Sequence, residues 1–199
     1  VTTSSQNVNV TVKRFVSRVA LQKVNNALPA SYGAMTINNV TLINVVGNQN
    51  LAGAATASIW YNKMGRKDGA TASNQIIDGS TYLASHPTLT FKSVESSVAS
   101  GASHTPTTPY LFYTFPNSTS NDVTGWATSF TARKTRLVVA ATIGGKKYYY
   151  PVVIDTPSRN NAYTVELTIT GLGSTEPDKP VEKGTINASV TVEGWATGS

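Results

Sequence analysis

The chain contains no cysteine. That excludes a disulfide framework, a thiolate nucleophile and a cysteine-held metal. No run of about eighteen apolar residues occurs, so no helix of this sequence spans a membrane. Charge is sparse, at 13% of residues, and one-sided. Residues 1–67 hold Lys13, Arg14, Arg18, Lys23, Lys63, Arg66 and Lys67 and no acid. The remainder holds nine basic and ten acidic residues. Nucleic-acid binding needs clustered Lys and Arg with interleaved aromatics. Here the cations are spread and the aromatics lie elsewhere, which favours solvated charges and strand-edge lysines.

Catalytic groups are equally scarce. There are two histidines, His86 and His104, each in a Ser/Thr/Pro-rich stretch, and no Gly-x-Ser-x-Gly elbow. Paired carboxylates are weakly indicated, because Glu166 and Glu193 fall on wet positions of alternating strands. Glu176-Pro-Asp178, with Glu182 beyond, is an acidic loop in which weak calcium binding is conceivable, yet the spacing of an EF-hand is absent. Gly65-Arg-Lys-Asp-Gly69 departs from the phosphate-loop pattern and reads as a turn. Asn9, Asn39 and Asn117 open glycosylation sequons, which an Asn/Thr-rich chain produces by chance. Trp60, Trp126, Trp195 and Tyr148–Tyr150 can stack sugars, but large aromatics in β-domains are more often core or strand-pair residues. No catalytic, cofactor-binding or metal residue is assigned.

Strand formers and turn formers dominate what is present. Two stretches alternate, Tyr163–Thr170 and Ile186–Glu193, with apolar residues at every second position. In a strand that gives each one dry and one wet face. Val8, Val10 and Val12 also alternate, and a strand is expected to continue through Leu21 with a bulge near Arg14. Met35–Val46, Ser58–Tyr61, Thr88–Ser93 and Tyr110–Phe115 are further expected strands. The clearest hairpin is Thr135–Ile143, Gly144-Gly145, Lys146–Ile154. Pro151 cannot donate to a ladder, so its strand belongs at an edge or turns that position outward. Residues 47–58 suit a short helix or a loop, and 62–88 and 96–109 suit long loops. There is no long amphipathic helix and no fixed-period repeat. The pattern predicts an all-β, mainly antiparallel sandwich with long surface loops, as one domain over residues 1–199.

The last third carries a specific likeness. Tyr148-Tyr-Tyr-Pro-Val-Val-Ile154 precedes Arg159-Asn160-Asn161-Ala-Tyr163. Then come Leu167-Thr-Ile-Thr-Gly-Leu-Gly173, a link to Pro180, and Val190-Thr-Val-Glu-Gly-Trp195. This order resembles the Bacteroidales fimbrillins, the shaft subunits of type V pili. Arg14-Phe-Val-Ser-Arg18 is similar to the segment that opens the family's C-terminal domain, with serine in place of the usual alanine. The resemblance implies a transthyretin-like sandwich equivalent to the C-terminal domain of a two-domain subunit. It implies a lipoprotein precursor, a fimbrium on the outer membrane surface, and polymerisation by strand exchange after proteolytic removal of an N-terminal strand. Its partners would be copies of the same subunit and accessory pilins, with host proteins or glycans as adhesion targets. Neither nucleic acid nor a cofactor is implied. Family subunits carry a preceding domain and continue past the tryptophan, so sequence before Val1 and after Ser199 is expected. Trp195 is then expected to anchor the last strand by burial. Trp195, Ala196, Thr197, Gly198 and Ser199 would be the root of a donor segment. Two other roles stay open: an adhesin binding glycan or protein through residues 62–88 and 96–109, near Trp60 or Tyr82, and a β-sandwich hydrolase using His86 or His104 with an acid.

Overall fold

A computed structural model describes residues 13–50, 57–64, 91–122 and 130–195. Eleven strands follow in order: β1 Ser17–Asn26, β2 Met35–Ile43, β3 Val45–Val46, β4 Trp60–Tyr61, β5 Phe91–Val98, β6 Ser103–His104, β7 Tyr110–Thr114, β8 Thr135–Ile143, β9 Lys146–Ile154, β10 Asn161–Ile169 and β11 Ile186–Gly194. A single 3-10 turn, Ala30–Tyr32, is the one helical element among the described residues. The protein is therefore all-β.

One sheet runs β11-β10-β1, with β6 and β7 both on the far side of β1. The second runs β5-β2-β8-β9, and β3 with β4 forms a small ribbon. Every pairing is antiparallel except β1 with β10. The two larger sheets share one core. Val19, Leu21, Tyr163, Val165 and Leu167 from the first meet Ile37, Val40, Leu137, Val139 and Tyr150 from the second.

The burial of each strand explains its sequence pattern. β10 alternates because its inward row, Tyr163, Val165, Leu167 and Ile169, is buried while Glu166 faces water. β8 reads as a continuous apolar run because both of its faces are covered. Leu137, Val139 and Ala141 enter the shared core, whereas Val138 and Ala140 join Ile43, Met64 and Tyr149 in a second cluster, with Phe91 packed against it.

The glycine hairpin forms where it was expected. Gly144 and Gly145 take φ of 55° and 76°, the left-handed pair that suits a tight turn between twisted strands. Pro151 lies on β9, an edge strand, opposite Val138. Met35–Val46 is interrupted at Asn44, whose φ of 53° redirects the chain between β2 and β3. Asparagine tolerates that region better than β-branched residues do.

Other expectations shift. β1 begins at Ser17, so Arg14 precedes the strand and only Arg18 lies within it. Its irregularity falls between Leu21 and Lys23, not near Arg14. β5 extends to Val98 and β6 occupies Ser103–His104, so part of the expected 96–109 loop is strand. Val8, Val10 and Val12, the Gly65–Gly69 turn and the 65–88 part of the long loop lie outside the described residues.

Tyr163 supports the connection into β10. Its ring is buried, and its hydroxyl accepts from Ser158 N at 3.0 Å and donates to Thr156 O at 3.2 Å. Thr156 and Asn160 both have positive φ, so the hydroxyl braces a tight corner. Tyr163→Phe leaves Ser158 N without that acceptor. The expected loss is about 1–3 kcal/mol of unfolding free energy in urea titration, with the denaturant slope unchanged.

Candidate functional site

The residues just before β1 and just after β11 meet at one pole of the first sheet. Before β1, Arg14 N donates to Asn160 Oδ1 at 3.3 Å, and its Nη1 donates to Trp195 O at 3.2 Å. After β11, Trp195 N donates to Asn160 O at 2.6 Å. The Trp195 indole stacks on Tyr113 with ring centroids 5.7 Å apart. The guanidinium carbons of Arg14 and Arg18 stand 4.4 and 5.2 Å from its centroid. Trp195 is half-buried, held by stacking and cation–π attraction. Ala196, Thr197, Gly198 and Ser199 lie outside the described residues.

Beside this cluster is an apolar groove of about 270 Å³. Val16, Tyr113, Thr114 and Phe115 line one wall, and Val45, Val46, Gly47 and Tyr61 the other. Gly47 is needed for the packing at its base. A Cβ there would sit 2.6 Å from the Tyr61 ring and 2.9 Å from Ile59 Cγ2.

A buried charge network lies at the corresponding end of the second sheet. Arg133 and Arg136 are each 1% exposed. Arg133 Nη1 donates to Asp178 Oδ2 at 2.9 Å, and Arg136 Nη1 to Asp178 Oδ1 at 2.6 Å. Arg136 Nη2 also pairs with the half-exposed Asp122, and Asn44 Nδ2 donates to Asp178 Oδ1 at 3.2 Å. Burial pushes the Asp178 carboxyl up from the ordinary carboxylate range, while Arg136, Arg133 and Asn44 pull it back. The network fastens the β10–β11 connection to the start of β8. It corrects one expectation: two of the cations expected at the surface are buried. Asp178, in the acidic loop weighed for weak calcium binding, is engaged by guanidinium groups through both oxygens. The 42- and 45-residue separations left no local pattern by which to find it.

The remaining candidates do not assemble a reaction centre. His104 Nε2 lies 2.9 Å from the Tyr110 hydroxyl, the two rings stack, and burial lowers the imidazole pKa. His86 lies outside the described residues. Among the described residues no three His, Asp or Glu side chains converge as a metal site. Glu166 and Glu193 are exposed on the outward row of their sheet, as their positions predicted. Trp60 packs on Phe130 and donates Nε1 to Ala57 O at 3.3 Å, whereas Tyr82 and Trp126 lie outside the described residues. Tyr150 is fully buried, with its hydroxyl donating to Gly171 O at 3.1 Å. Asn117 is 4% exposed and its Nδ2 is bonded to Arg133 O and Thr135 Oγ1, so that sequon is inaccessible in the folded chain. Asn39 is buried as well, and Asn9 lies outside the described residues.

No family model and no curated protein sequence matches the chain. Solved structures match its fold. A candidate cell adhesion protein of Bacteroides eggerthii aligns over 92% of the chain at 20% identity, with a TM-score of 0.52 and 56% of its own length covered. A candidate cell adhesion protein of Parabacteroides distasonis gives 92%, 18%, 0.52 and 52% for the same quantities. A fimbrilin of Porphyromonas gingivalis W83 gives 92%, 16%, 0.53 and 58%. The chain therefore shares the fold of Bacteroidales fimbrilin and candidate adhesion structures, and spans little more than half the length of each.

The charge network yields a direct expectation. Asp178→Leu strands two buried guanidinium groups and should cost about 3–5 kcal/mol, read by thermal or urea unfolding. A loss within 0.5 kcal/mol of zero would mean that the arginines find other acceptors.

Proposed function

We propose that this chain is the C-terminal part of a structural pilin, a fimbrial shaft subunit displayed at the bacterial outer surface. The observation that carries the reading is the fold shared with a fimbrilin over 92% of the chain. In this reading residues 1–199 form one transthyretin-like sandwich within a longer lipoprotein precursor. Subunits polymerise by strand exchange with copies of themselves and with accessory pilins. The donor segment begins at Trp195 and continues through Ala196, Thr197, Gly198 and Ser199.

The physical chemistry suits a polymer built without covalent links. An inserted strand adds main-chain hydrogen bonds and seats alternate side chains in pockets. Five buried apolar side chains at about 1.5–3 kcal/mol each supply ~7–15 kcal/mol before ordering costs. That scale is compatible with stable association in a protein lacking cysteine. Trp195 suits the root of such a segment because Arg14, Arg18, Tyr113 and Asn160 fix the direction in which the chain leaves the sheet. The poverty of reactive clusters among the described residues is in keeping with a structural role.

A second reading, an adhesin module recognising glycan or protein through its loops, draws support from the candidate cell adhesion proteins that share the fold. It predicts glycan-array binding that disappears in Trp60→Ala or Tyr82→Ala.

The pilin reading is tested on the full-length processed subunit by electron microscopy. Filaments are expected, and Trp195→Ala should shorten them or reduce their number by misdirecting the donor segment. Processed subunits that remain monomeric with their C-terminal segment intact contradict it.

A further inference from the structure

The arginines of this chain are not all satisfied in the same way. Arg133 and Arg136 pair with Asp178, and Arg159 Nη2 donates to Asn50 O at 2.8 Å. Arg18 differs from them. Its guanidinium makes no ion pair or hydrogen bond among the described residues, and its Nε is buried without an acceptor. What it does have is the Trp195 ring, which Arg14 approaches as well. Two positive charges therefore crowd onto one indole, close enough to act together on a single anion.

Strand register defines the surroundings. Arg18 lies opposite Tyr113 on β7 and Ala162 on β10, and Ala162 lies opposite Glu193 on β11. The next position along β1, Val19, enters the core with its partners Phe112 and Tyr163. Tyr113, Arg18, Ala162 and Glu193 thus form one row on the outward face. Tyr113 is 42% exposed, Arg18 is half-buried and Glu193 is exposed. Glu193 stands two strand spacings from Arg18 in this row, roughly 10 Å along the sheet.

We propose that this patch is a binding site for an acidic sugar, centred on Arg18 and Tyr113. A guanidinium is a planar fork that matches a carboxylate, and Arg18 has no carboxylate of its own. Arg14 adds a second positive charge from the other side of the cluster. The exposed Tyr113 ring offers a flat apolar surface to the C–H face of a pyranose. Glu193 selects for a single acid among hydroxyls. Its carboxylate accepts hydrogen bonds from hydroxyl groups and repels a second negative charge. A uronic or sialic acid residue meets those terms, whereas a run of acidic side chains does not. The site is built on strands, so it stands apart from the loop-based adhesin reading and does not rest on the pilin reading.

NMR titration of the whole 199-residue chain with the methyl glycosides of glucuronic acid and N-acetylneuraminic acid tests the site. At least one of them should shift the Trp195 indole and Arg18 Nε signals saturably at millimolar concentration. Methyl glucoside, which lacks the carboxylate, and acetate, which lacks the ring, should each bind about tenfold more weakly or worse. Arg18→Gln should weaken the acidic sugar by about tenfold or more, while unchanged β8 and β10 amide signals certify the fold. Tyr113→Ala should weaken the sugar and leave acetate unaffected, and Trp60→Ala should leave both unaffected. No saturable shift with either acidic sugar, or binding unchanged by Arg18→Gln and Tyr113→Ala, overturns the proposal. Acetate binding as tightly as the sugar reduces the patch to a simple anion site and overturns it too. Equal or tighter binding of a triglutamate peptide overturns it in favour of an acidic protein partner, and binding lost in Trp60→Ala overturns it in favour of the loops.

Discussion

The parallel pairing of β1 with β10 is the contact on which the rest of the arrangement depends. It joins residues 18–26 to residues 162–169 and is the one parallel ladder among the described strands. Parallel strands need a long crossover, and here most of the chain, including the whole second sheet, lies between them. Contacts of such sequence separation form late and at a high entropic cost. Their return is a sheet centre in which Val19, Leu21, Val165 and Leu167 are almost wholly excluded from water. The same pole holds the start of β1 and the end of β11, where Arg14 and Trp195 meet.

The second sheet is positioned by polar contacts as much as by its apolar run. Asn44 holds the kink between β2 and β3 and accepts from Met64 N at 2.9 Å through Oδ1. Its backbone carbonyl accepts from Thr135 Oγ1 at 2.9 Å, and its amide reaches Asp178. Arg133 and Arg136 extend that network into the connection leading to β11. Buried ion networks of this kind add little net stability compared with apolar packing. Their effect here is to fix the path of the 170–185 connection, which sets β11 in register at the edge of the first sheet.

How much of this was legible in the sequence depended on the range of the interaction. Gly144-Gly145, the alternation of β10 and the proline on β9 are local signals, and each appears where its local physics placed it. β8 could be recognised as a strand, but the cover over its second face comes from Met64 and Phe91, distant in sequence. Residues 13–16 were expected within a strand because they share the β-rich composition of β1, yet β1 begins at Ser17. The Asp178 network was invisible, since nothing near residue 178 announces two arginines more than forty residues earlier. Trp195 was expected to anchor the end of the last strand, but the partners that hold it, Arg14, Arg18 and Tyr113, come from other elements that its neighbourhood in the sequence does not reveal.

The fold is shared with a fimbrilin structure, and under the proposed pilin reading this pole is where the donor segment would leave the sheet. Its geometry rests on the first and tenth strands lying side by side. The most direct measurement is the set of cross-strand backbone Overhauser contacts between residues 18–26 and 162–169 in the labelled chain. The account predicts the staggered amide-to-Hα contacts of a parallel ladder, with Val19 beside Tyr163 and Val24 beside Leu167. An antiparallel pattern, or no contacts between these strands in a folded chain, would contradict it.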